Sequence, residues 1–95
     1  MLFRSTDAVD YDGVVNGIIS NNRIFNFTGF NSDGIDIGEG ATGLEIFGNE
    51  IYNSTDKGIS VGQKSDVHIY RNLIVGCGMG VGVKDSSKAI IENNT

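Results

Sequence analysis

The stretch Gly34-Ile35-Asp36-Ile37-Gly38 decides the fold, because the chain returns to it twice. It recurs as Gly58-Ile59-Ser60-Val61-Gly62 and again as Gly80-Val81-Gly82-Val83. Each copy is followed by a second apolar segment: Leu44-Glu45-Ile46, Val67-His68-Ile69 and Ala89-Ile90-Ile91. A third element then begins with asparagine: Asn49-Glu50-Ile51, Asn72-Leu73-Ile74 and Asn94. The period is about 22–24 residues, the range of solenoid repeats.

Within each segment apolar residues alternate with others, which is the signature of strands. Ile35 and Ile37 fall on one face and Asp36 on the other, as Ile59 and Val61 do around Ser60. Strands this short cannot bury an apolar face alone, but stacked in register they enclose a continuous interior. Helices fit poorly, since the spacing is not 3.6 and glycine is frequent. Three segments per coil imply three parallel sheets and about four coils. The expected interior is Ile19, Ile24, Ile35, Ile37, Leu44, Ile46, Ile51, Ile59, Val61, Val67, Ile69, Ile74, Val81, Val83 and Ile91. Asn22, Asn49, Asn72 and Asn94 each sit three residues after an inward isoleucine. Asparagine tolerates a left-handed corner and, when stacked, can form side-chain amide ladders.

Asn-x-Ile followed by Gly-Ile-x-Val-Gly at this period resembles the right-handed parallel β-helix proteins of the pectate-lyase-like superfamily. The resemblance covers residues 14 to 95 and implies an all-β, right-handed, single-stranded parallel β-helix. The motifs speak for the fold and for no particular activity. Residues 1–13 lack the repeat and read as a lead-in or partial cap, with Leu2 and Phe3 folding over the first coil; residues 14–95 are the coils.

The sequence has 95 residues, enough for one domain, and a net charge of −5. The acidic balance, with lysines interspersed among acids, excludes a phosphate-tracking nucleic-acid binder. No apolar run reaches membrane-span length. Met1-Leu2-Phe3-Arg4-Ser5 lacks the apolar core of a signal peptide, and the compartment stays open, a secreted parent included. The single Cys77 cannot form an internal disulfide and reads as a small corner filler. The last coil stops without a cap, so the chain reads as fragment-sized and its open end as a template for another copy.

Asn31-Ser32-Asp33-Gly34-Ile35-Asp36 looks like the Asn-Thr-Asp-Gly-Ile-Asp segment of polygalacturonases, with Ser32 for threonine. That likeness makes Asp33 and Asp36 catalytic candidates, with Asp56 on the following coil. The family's further parts are missing: Thr55-Asp56-Lys57-Gly58 holds one acid where two are needed, Cys77-Gly78-Met79-Gly80 holds no histidine, and no Arg-x-Lys follows. Glycoside hydrolysis requires two carboxylates across the bond, so the segment reads as a turn typical of the fold. His68, the only histidine, alternates outward between Glu45 and Ile90, with Glu45 as its expected partner for acid–base work. Phe27 and Phe30 lie on a long corner loop and Phe47 and Tyr70 in one column; all four are candidates for stacking on sugars, against the plainer reading of packing. Asp7, Asp10 and Asp12, crowded ahead of Gly13, suit a calcium ion, although their spacing departs from the helical calcium loop. No other cofactor is implied. The outward column Asp36, Ser60, Gly82 repeats no recognition group.

These features read together as a non-catalytic β-helix module, structural or carbohydrate-contacting, that self-associates through its uncapped ends. The alternative is a fragment of a polysaccharide-active enzyme, a lyase, hydrolase or epimerase, of the same fold.

Overall fold

The computed structural model describes residues 7–25 and 32–95. Among them every regular element is a strand. The first sheet stacks β1 (Val9–Asp12), β4 (Ile35–Gly38), β7 (Lys57–Val61) and β10 (Met79–Val83). The second stacks β2 (Ile18–Ser20), β5 (Thr42–Phe47), β8 (Asp66–Tyr70) and β11 (Lys88–Glu92). The third stacks β3 (Arg23–Phe25), β6 (Glu50–Tyr52) and β9 (Leu73–Val75). Every pairing is parallel and joins a strand to its counterpart one coil away. The result is a parallel β-solenoid of about three turns, with β10 and β11 starting the next; the expectation of about four coils counted that start as a whole turn.

The register is the one the repeat dictates. Ile35, Ile59 and Val81 form one column, Ile46, Ile69 and Ile91 a second, and Ile24, Ile51 and Ile74 a third. Ile35, Ile37, Ile46, Ile51, Ile59, Val61 and Ile69 are 0% exposed. Val83 and Ile91, expected inside, keep the inward register but are exposed, because no strand lies beneath the last rung. Residues 1–13 contain more than a lead-in: Val9 pairs with Ile35 and Tyr11 with Ile37, so β1 is a rung of the first sheet. Leu2 and Phe3 lie outside the described residues.

The corner between the second and third sheets is held by side chains. The Asn22 Nδ2 donates to Asn49 Oδ1 at 3.0 Å, Asn49 Nδ2 to Asn72 Oδ1 at 2.9 Å, and Asn72 Nδ2 to Asn94 Oδ1 at 3.0 Å. Each of these oxygens also accepts the backbone N–H of the asparagine one coil above. The second Nδ2 hydrogen of Asn49 goes to Ile19 O, that of Asn72 to Ile46 O. Asn49 thus fills all four hydrogen-bonding positions of its amide while 1% exposed. The left-handed backbone sits one residue earlier than expected, at Asn21 (φ 57°), Gly48 (φ 68°), Arg71 (φ 55°) and Asn93 (φ 52°). The reason is a division of labour: the preceding residue bends the chain, which frees the asparagine to turn inward and satisfy the polar groups the bend exposes.

Between the first two sheets, the second coil carries one extra residue, Gly43, where β5 shifts register against β8. Its φ is +66°, and a Cβ there would collide with the Asn16 side-chain oxygen.

Two substitutions test this architecture. Ile59→Asp places an unpaired charge in a column 0% exposed; no cooperative melt is expected by circular dichroism. Asn49→Ala strands buried donors and acceptors on two neighbouring coils and should cost about 3 kcal/mol in urea unfolding.

Candidate functional site

Parallel register turns sequence neighbours one coil apart into spatial neighbours, and it does so with acids at the upper end of the first sheet. Because Val9 lies over Ile35, Asp7 falls over Asp33 and Asp10 directly over Asp36. Carboxylate oxygens of Asp7, Asp33 and Asp36 lie within 4.8 Å of one another, the one such group among the described residues. The Asp33 N–H donates to Asp7 Oδ1 at 3.0 Å, and the Lys57 N–H donates to Asp33 Oδ1 at 3.0 Å, so this acidic column also staples successive coils. Asp33 is 8% exposed and Asp36 half-buried.

Burial, reinforced by crowding of like charges, sets the protonation. Burial first, then repulsion from Asp7, Asp10 and Asp33 and a side-chain hydrogen bond to Asp7, push Asp36 from 3.8 up to about 7. Asp33 is raised by burial, with the Lys57 N–H and charge pulling against it. Asp10 is raised by burial and then by Asp12. Lys57 Nζ turns to Asp56 at 3.3 Å.

The grouping differs from that expected along the chain. Asp7 joins Asp33 and Asp36, whereas Asp10, although stacked over Asp36, bonds Asp12, which alternation along β1 puts on the same face. Asp56 stays beside Lys57. The outward column below Asp36 is no open surface: Ser60 is 1% exposed and Gly82 is buried, with the Lys57 alkyl chain lying against Gly82. The Ser60 Oγ has no hydrogen-bond partner among the described residues.

The outer face of the second sheet holds a second polar group. His68 is the Cα partner of Glu45, yet its Nε2 bonds Glu92 Oε1 at 2.6 Å. Glu45 instead accepts from the Tyr70 hydroxyl at 2.7 Å, which raises the phenol above its ordinary value. Side chains here lean diagonally between coils, so vertical register alone names the wrong partner for His68. Phe47 and Tyr70 stack with centroids 5.0 Å apart and planes 11° apart, and the His68 ring lies 4.4 Å from Tyr70. A shallow depression of about 340 Å³ runs alongside, bordered by Gly43, Glu45, Asp66, His68 and Ile90. Phe27 and Phe30 lie outside the described residues. Cys77 is a free thiol, partly buried against the core.

A family model for the right-handed beta helix region matches residues 3–95. The chain belongs to that family, and the solenoid described above is its right-handed parallel β-helix. No match was found among curated proteins or among solved structures.

The acidic group predicts an inverted pH profile. Asp36 in the folded chain keeps its proton from pH 3.8 up to about 7, a window in which the unfolded chain has lost it. Stability is therefore fully present below that window and falls as pH rises through it. In metal-free buffer the melting temperature should drop between pH 4 and pH 8. Asp36→Asn keeps a donor for Asp7 without the charge; it should flatten that drop and gain about 1 kcal/mol at pH 8, after discounting for solvent screening of a half-exposed group. His68→Ala should leave the melting temperature nearly unchanged, since its bond to Glu92 is exposed.

Proposed function

We propose that the chain is a non-catalytic β-helix module with a structural role, which associates with a second copy of itself through the open rung formed by β10 and β11. One observation carries this reading. At that rung Val83 is 41% and Ile91 48% exposed, whereas Val61 and Ile69, their column neighbours one coil above, are 0% exposed. Apolar area of that kind gains by burial, and an unpaired strand edge is a template for another strand. The aromatic column supports a structural role over sugar contact. Phe47 and Tyr70 spend facing ring surfaces on each other, which strengthens the stack and withdraws those surfaces from a ligand.

Sedimentation equilibrium over a dilution series tests the reading. The apparent mass should rise with concentration above the 10.1 kDa of one chain. A mass fixed at that value throughout overturns it.

A second reading, a fragment of a polysaccharide-active enzyme, is favoured by the Asp7–Asp33–Asp36 group. A carboxyl with a pKa of about 7 beside other carboxyls has the form of an acid–base set. Release of reducing ends or unsaturated products from polygalacturonate, lost in Asp36→Asn, would support it; no release from the unaltered chain would overturn it.

A further inference from the structure

The strand on the open rung has a charge pattern that is complementary to itself reversed. β11 is Lys88-Ala89-Ile90-Ile91-Glu92, basic at one end, acidic at the other, with isoleucine at the centre. Among the described strands only β8 pairs with it, so one edge is free. The Lys88 N–H donates to Ser65 O at 2.8 Å, and the Glu92 C=O accepts from the Arg71 N–H at 3.3 Å. Backbone groups of residues 88, 90 and 92 thus face β8, and alternation turns those of Ala89 and Ile91 to the free edge. Ala89 and Ile91 point their side chains toward the interior, in the columns of Val67 and Ile69. Lys88, Ile90 and Glu92 project from the outer face.

The two ends of the solenoid differ. Of the inward residues of the first coil, Ile19 and Ile24 are 3% and 8% exposed and Val9 and Tyr11 partly buried, whereas Ile91 on the last rung is 48% and Val83 41% exposed. Two copies meeting at that rung cover the exposed inward residues of both.

We propose that two copies join by antiparallel pairing of β11 with itself, about a two-fold axis through Ile90. This rests on the self-association reading above and specifies its geometry. In this register Ala89 and the partner's Ile91 exchange both N–H···O bonds, and the reciprocal pair does the same. Ile90 meets the partner's Ile90 in a non-hydrogen-bonded pair, where side chains approach most closely. Lys88 stands opposite the partner's Glu92 on the outer face, twice by symmetry. Glu92 uses Oε1 for His68 and keeps its other oxygen for this pair. Ala89 and Ile91 carry the apolar interior across the junction. The interface is isologous and closes at the dimer.

The test is a charge exchange: Lys88→Glu, Glu92→Lys and the double variant, each verified as folded by circular dichroism and compared by sedimentation equilibrium. The unaltered chain should reach a dimer and stop there. Each single variant should weaken the dimer about tenfold, because like charges then face each other twice, and the double variant should restore it. In a Cys77→Ser background, Ile90→Cys should form a residue-90-to-residue-90 disulfide on oxidation. A dimer indifferent to the single variants, or one the double variant fails to restore, overturns this geometry while leaving self-association standing. Species that grow beyond a dimer do the same. A chain monomeric at every concentration overturns both.

Discussion

The structure depends on vertical register: the strands' backbone groups find their partners one coil away, not along their own coil. Gly34 N–H reaches Lys57 O at 3.0 Å, Gly62 N–H reaches Ile37 O at 2.9 Å, and Leu73 N–H reaches Asn49 O at 2.8 Å. A slip of one residue in any strand would turn Ile35 or Ile59 outward and bring Asp36 or Ser60 into the interior. Apolar burial and hydrogen bonding therefore specify the same alignment, and neither has a local alternative. The asparagine column extends that alignment through a corner where the sheets are interrupted, replacing strand pairing with side-chain amides.

The same constraint builds the acidic group. Asp7 and Asp33 are held by the backbone bonds they accept, at 3.0 Å each, before any question of chemistry arises. Asp36 is then trapped between Asp10 above and Ser60 below. Its raised pKa comes first from burial in that stack and then from repulsion by the neighbouring acids, so this carboxyl keeps a proton that an open one would lose.

How much could be read from the chain follows from which features are periodic. The inward columns were legible because isoleucine and valine alternate at a constant spacing; toward the last rung burial fades, with Ile74 and Val81 partly buried and Val83 and Ile91 exposed. The bond between Asp7 and its neighbours was not foreseen, because residues 1–13 looked aperiodic. Yet Val9-Asp10-Tyr11-Asp12 alternates just as Ile35-Asp36-Ile37-Gly38 does, and that signal would have placed β1. The partner of His68 was out of reach for a different reason. Register fixes Cα positions, while the choice between Glu45 and Glu92 is made by side-chain lean and by the competing Tyr70 hydroxyl. Likewise the asparagines marked the corner correctly, but the residue that bends there is the one before, and its identity varies among Asn21, Gly48, Arg71 and Asn93.

The corners also account for a gap in the composition. Gly13, Asn16, Asn21, Gly48, Asn53, Lys64 and Arg71 each spend a backbone N–H on a carbonyl of the adjoining coil. All of them bend with positive φ. Proline offers neither the hydrogen nor that torsion, and the sequence contains none. Stiffening loops with proline, a common route to heat-resistant variants, is closed at these bends. At these bends, durability has to come from the bonds between coils instead.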